Sequence, residues 1–163
     1  VVQTREEGTL TATLATPLTP AELLFANGIL GMGVALFCAA LVVLLNGAQL
    51  VPAVAASLVL AAAMCAAIGL AVACVVRQAE TMMAVWKIGG LALMFPAILW
   101  LEPSMPEWLA KLGPTYYFLQ PLHAASQEGA SFSELAGTLG IGVVITAGFV
   151  GLVVRLAPRL TRG

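Results

Sequence analysis

Of the chain's 163 residues, 61% are hydrophobic and 9% are charged, against about 45–50% and about 25% in an ordinary soluble domain. Seven basic and eight acidic side chains are too few to cover the surface of a water-soluble monomer, and a net charge of −1 provides no basic footprint for nucleic acid. What remains is an all-α, polytopic transmembrane helix bundle or a piece of one. Because the chain starts at Val1, we expect a fragment or processed piece with further sequence upstream.

The first twenty residues are polar by this chain's standard. Arg5 to Ala15 can form a short helix with Leu10 and Leu14 on one face, and Thr16-Pro17 stops it, since the residue before proline disfavours the helical region. Thr19-Pro20-Ala21-Glu22 then reads as a capping box with proline at the first helical position. The pattern is helix, sharp break, membrane entry.

From Leu23 to Val76 no acidic, basic or histidine side chain occurs in 54 consecutive residues. As helix that run would measure about 80 Å, against a hydrocarbon core of about 30 Å, so it must hold two spans. The first is expected at 22–45, ending at the turn dipeptide Asn46-Gly47. The second is expected at 50–76, with Pro52 in its opening turn where a missing N–H costs nothing. A third span is expected at 81–101, and a fourth at 134–156, closed by Pro158. Between them, residues 102–133 pass through repeated prolines without losing apolar character. Trp100, Trp108, Tyr116 and Tyr117 suit a membrane interface, where an amphipathic ring has one wet end. Two short helices are expected there, about 105–112 and 114–126, dipping into the outer leaflet; a surface loop with an aromatic belt is the alternative.

Four spans place Arg5, Arg77, Lys87, Arg155, Arg159 and Arg162 on one side and Lys111 alone on the other. The excess of Lys and Arg marks the first side as cytoplasmic. Lys87 lies inside the third span, where an ionisable residue is a functional candidate, yet it is near enough to the end to snorkel to the headgroups. Small residues recur every fourth position at Ser57, Ala61, Cys65, Gly69 and Ala73. A shorter row is Gly31, Ala35 and Ala39, and Gly140, Ala147, Gly148 and Gly151 lighten the last span. Such rows let helix backbones approach closely in lipid. Cys38, Cys65 and Cys74 form no metal motif and read as small buried hydrophobes.

Chemistry-bearing motifs are scarce. The sequence has no P-loop ending in GK[ST], so nucleotide binding by that route is not expected, and with no Asp and a single histidine it lacks metal-ligand spacing. His123 is the one conventional base for a serine nucleophile, and nothing sets Ser126 or Ser131 against it with an orienting acid. No catalytic residue, metal ligand or cofactor site is assigned.

The stretch Arg5-Glu-Glu-Gly-Thr-Leu-Thr-Ala-Thr-Leu-Ala-Thr-Pro-Leu resembles the cytoplasmic signature of the type-2 ABC exporter permeases, which precedes the third membrane helix of that family. Ala67-Ile-Gly-Leu-Ala-Val-Ala before Arg77 is similar to the end of its fourth helix. Pro103-Ser-Met-Pro-Glu-Trp-Leu and Pro114-Thr-Tyr-Tyr-Phe-Leu resemble its extracellular segment between the fifth and sixth helices. The resemblance covers nearly the whole chain and implies a single transmembrane permease domain holding the last four of six helices.

It implies that Arg5, Glu6, Glu7, Gly8, Thr9, Leu10, Leu14 and Pro17 form a coupling segment seated in a cytoplasmic ATPase subunit. It implies an extracellular gate built from Pro103, Met105, Pro106, Trp108, Pro114, Tyr116 and Tyr117. The implied partners are that ATPase, a second permease half in a homo- or heterodimer, and membrane lipids. The implied location is a bacterial or archaeal plasma membrane with both termini cytoplasmic, and the ATP chemistry would belong to the partner subunit. Two other readings are a membrane scaffold or assembly subunit, and an intramembrane lipid-modifying enzyme. The enzyme would need paired ionisable residues within the bundle, where the charge map supplies only Lys87.

Overall fold

The computed structural model describes residues 20–47, 49–76, 78–101 and 106–157. Among them the regular structure is entirely helical: α1 (Pro20–Leu45), α2 (Pro52–Val75), α3 (Ala79–Leu101), α4 (Glu107–Lys111), α5 (Tyr116–Gln127) and α6 (Phe132–Leu156). Each long helix falls within two or three residues of its expected bounds, and both short helices are present. Three of the helices, over Glu22–Leu45, Pro52–Val75 and Phe132–Leu156, are long and apolar enough to cross a membrane.

Local chemistry explains the boundaries. α1 begins at Pro20 with Glu22 in its first turn, where a carboxylate meets the positive end of the helix dipole; Thr19, the expected cap, lies outside the described residues. After α1 the Asn46 side chain donates to the Val42 carbonyl at 2.7 Å. Gly47 then takes a left-handed φ of 75°, the conformation that ends a helix most cheaply without a side chain. Pro52 occupies the first turn of α2, behind an extended Val51. α6 opens with a capping box: the Ser131 N–H donates to Glu134 Oε2 at 2.7 Å.

The core is centred on α2, which packs against α6, α1 and α5. Val54, Leu58, Leu60, Met64 and Ile68 of α2 meet Phe118, Ala124 and Ala125 of α5 and Leu135 and Leu139 of α6. A second cluster joins Leu24 at the start of α1 to Ala71 and Cys74 at the end of α2 and Val153 at the end of α6. Near the opposite end, Val51–Ala53 share a recess with Ala125 and Ala130–Phe132. Successive long helices therefore run in alternating directions between two common ends.

The small-residue rows need correction. Ser57 and Ala73 are buried, Ala61 and Gly69 half-buried, and Cys65 is exposed. A step of four residues advances about 400°, so the row slips about 40° per step and crosses to another face over its length. On α6, Gly140, Ala147, Gly148 and Gly151 are all exposed. The glycine at the close approach is Gly142, where a Cβ would lie 2.6 Å from Leu60 Cδ2 and 3.2 Å from the Tyr117 carbonyl oxygen. On α1, Gly31 is exposed and Ala35 and Ala39 half-buried; the tight contact is at Gly28, 2.8 Å from Leu70 Cδ1 by the same measure. Cys74 is buried as expected, but Cys38 and Cys65 face outward, on surfaces as apolar as those within.

Candidate functional site: a re-entrant hairpin

α4 and α5 meet at Leu112–Thr115 and form a helical hairpin whose tip reaches into the bundle. Its depth can be read from its neighbours. The Tyr117 carbonyl lies beside Gly142, about ten residues into α6 and so about 15 Å along that helix from Phe132. Thr115 Oγ1 donates to the Leu93 carbonyl at 2.7 Å, about 12 Å along α3 from its end at Leu101. From the tip, α5 climbs back beside α2 and α6 to Ala125 and Ala130, level with Val51–Ala53.

The sequence builds this tip from prolines and one glycine. Pro106 is extended before α4, and Pro114 lies in the turn whose carbonyl accepts from the Tyr117 N–H at 3.3 Å. Pro96, inside α3, lays its ring on Gly113, where any Cβ would overlap it. Proline supplies no N–H to the carbonyl four residues back and crowds that turn. The carbonyl left without its helical donor is that of Ala92, and the Leu93 oxygen of the same turn accepts a sideways hydrogen bond from Thr115.

A polar brace ties the two short helices together. Tyr116 Oη donates to Glu107 Oε1 at 2.6 Å, and Lys111 Nζ lies 3.3 Å from the same oxygen. Tyr117 Oη donates to the Lys111 carbonyl at 3.0 Å. The two tyrosine rings pack edge to face, centroids 5.4 Å apart, a favoured arrangement of aromatic quadrupoles. The Tyr116 hydrogen bond, and then Lys111, hold the Glu107 carboxyl below its usual range. Burial, and then the nearby Glu107 carboxylate, push the Tyr116 phenol up.

Among the residues anticipated for an outer gate, Pro114, Tyr116 and Tyr117 come together at the tip. Pro106 and Trp108 lie on the exposed side of the hairpin, and Pro103 and Met105 lie outside the described residues. Arg5, Glu6, Glu7, Gly8, Thr9, Leu10, Leu14 and Pro17 also lie outside them. Sequence reasoning passed over Glu107 and Lys111, although their spacing is that of a helical ion pair. It also passed over Pro96, Gly113 and Thr115, whose contacts span segments distant in sequence and leave no local signal. Ser126 Oγ donates to the His123 backbone carbonyl at 3.3 Å, which is no nucleophile–base arrangement. His123 Nδ1 lies 3.5 Å from Glu128 Oε1. Among the described residues no group of His, Cys, Asp or Glu could hold a metal ion.

A second feature is apolar. Gly28, Met32, Ala63, Leu70, Thr146 and Val150 are among the residues lining a cleft of about 170 Å³ between α1, α2 and α6. It adjoins a recess of about 650 Å³ between α2 and α6, to which it is linked through Ala63, Thr146 and Val150. Thr146, the one polar side chain on that lining, spends its hydroxyl on the Gly142 carbonyl at 2.8 Å.

A bundle of long apolar helices, with a short helical hairpin packed against it, is the architecture of an integral membrane protein. The comparison with protein families is specific: the family described as ABC-2 family transporter protein matches residues 1–155, and the chain belongs to that family. Its members are membrane components of ABC transporters, a permease function, and normally work with an ATPase subunit. No curated protein and no solved structure gave a match.

Proposed function

We propose that the chain is the membrane-spanning permease subunit of an ATP-driven exporter, lining the translocation pathway and coupled to a separate ATPase subunit. The observation that carries this reading is the re-entrant hairpin in a member of the ABC-2 family. Its tip, with Gly113 and Thr115 buried against α3 and Leu112 exposed, suits a gate at the outer end of a pathway. α3 acts as the third of four spans, since 23 helical residues measure about 34 Å. The end carrying Arg155 is cytoplasmic, in keeping with the excess of Lys and Arg on that side, and the hairpin faces outward across the plasma membrane. Lys87 is exposed and snorkels to the cytoplasmic headgroups.

In this mechanism, nucleotide binding draws two ATPase subunits together and pushes on Arg5–Leu14. Arg5, Glu6 and Glu7 make polar contacts with the ATPase while Leu10 and Leu14 dock against it. The balance between inward- and outward-facing forms shifts because nucleotide binds one of them better. A second permease half, identical or not, completes the pathway. The test uses the full-length protein with its ATPase in proteoliposomes, assayed for ATP hydrolysis across a panel of lipids, drugs and cations. A compound that stimulates hydrolysis in the parent should fail to do so with Leu10→Glu. Unchanged stimulation in that variant would remove the coupling assignment, and a chain that binds no ATPase would remove the exporter reading.

A further inference from the structure

We propose that Thr115 is a positioning residue that makes α3 and the hairpin move as one body, so that a tilt of α3 is delivered to the outer gate. The inference rests on the gate reading above and names the linkage within it. Thr115 is 7% exposed and precedes the first residue of α5, the position where a threonine ordinarily caps its own helix. It makes no such cap; its hydroxyl reaches instead across 22 residues of sequence to the Leu93 carbonyl.

The packing gives that bond its mechanical meaning. α3 packs against α4 and α5 and only marginally against α2 and α6. α5 also packs on α2 and α6, through Phe118, Ala124 and Ala125. The hairpin is therefore the joint between α3 and the core. Among the contacts that fasten α3 to it are Pro96 on Gly113 and Thr115 on Leu93. One is steric and one directional, and together they fix both the distance and the rotation of the tip relative to the Pro96 turn of α3. Coupling between distant sites needs such a packed element with two arrangements; here it is α3 with the hairpin, sliding on a core that stays put.

The experiment uses the full-length transporter with its ATPase in lipid nanodiscs, with Cys38, Cys65 and Cys74 replaced by alanine. Leu112, at the tip and 75% exposed, becomes Cys, and its labelling by a membrane-impermeant maleimide is timed with and without ATP and vanadate. Nucleotide should change the rate by about threefold or more in this parent, as expected for a shift between two populated states. Thr115→Ser, which keeps the hydroxyl, should retain that response. Thr115→Val, which keeps the shape, should lose most of it while retaining basal ATP hydrolysis.

An equal response in Thr115→Val and the parent overturns the linkage alone. No response in the parent overturns the gate reading and the linkage with it. Should Thr115→Val fail to insert, spin labels in the full complex, with the three native cysteines replaced by alanine and Thr115 kept, decide the matter. The Ile88→Cys to Leu112→Cys distance should hold within about 2 Å on nucleotide binding while Ile29→Cys to Leu112→Cys changes by more, as a rigid-body shift requires. A changing Ile88–Leu112 distance overturns the proposal.

Discussion

α2 and α3 are almost equal in length, 24 and 23 residues, yet they live in different surroundings. α2 touches α1, α5 and α6 and buries a dozen side chains among them. α3 turns Met83, Ile88, Leu91, Met94 and Phe95 outward and meets neighbours chiefly through the hairpin. The difference follows from side-chain size. α2 is rich in alanine, so other backbones can approach it closely, which is the main source of helix association in lipid. α3 presents Met, Trp, Ile and Phe, which hold neighbours at a distance and suit lipid contact. A helix fixed on three sides cannot shift without breaking a core; one fastened at a single joint can.

That contrast is open to a direct test with a matched pair. Met64 on α2 is 0% exposed and Met94 on α3 is 55% exposed. Met64→Ala should lower stability in detergent, measured by thermal or denaturant unfolding, by about 2–5 kcal/mol, the range for emptying a buried methionine site. Met94→Ala should stay within about 0.5 kcal/mol. Equal losses at the two sites would mean that α3 is held as firmly as α2. A smaller effect is expected from Gly142→Val, about 1–3 kcal/mol for an overpacked contact, because one of the atoms it meets is the Tyr117 carbonyl oxygen, which cannot swing aside. Gly148, with nothing within 4 Å of its Cβ position, should accept the same valine with no loss beyond about 0.5 kcal/mol.

The architecture was legible because proline, glycine and charge punctuate the chain. Pro52 and Asn46-Gly47 mark helix ends through chemistry confined to one turn, and the charge-free run from Leu23 to Val76 forces two spans by length alone. The packing faces were not legible. When every side of a helix is apolar, periodicity no longer separates core from lipid, so counting small residues pointed to Gly140 and Gly148 where the contact is at Gly142. Of the hairpin, the prolines and tyrosines could be named in advance. The bonds from Thr115 to Leu93 and from Tyr116 to Glu107 could not, because each joins residues that only the folded chain brings together.

The mildest effect belongs to the hairpin's own brace, which the pH should reveal. Glu107, accepting from Tyr116 and paired with Lys111, has its carboxyl held below its ordinary value of 4.5. A lowered folded value means that the unfolded state takes up protons first, so the stabilisation is present above 4.5 and is lost as pH falls through the lowered value. Tyr116 is shifted the other way, upward from 10.0 by burial and then by Glu107. Its contribution is therefore complete below 10.0 and declines as pH rises through the raised value. Between about pH 5 and 9 the brace should be insensitive. Trp108, exposed on α4 beside Glu107, reports on it once Trp86 and Trp100 are replaced by phenylalanine. Its emission should be flat across that window and shift only on the acid side, by a small amount because the Glu107–Lys111 pair is half exposed and screened by solvent. Glu107→Gln should abolish the acid shift and leave the Thr115-dependent labelling response intact. A transition centred inside the window, or an acid shift that survives Glu107→Gln, would show that other groups set the hairpin's position.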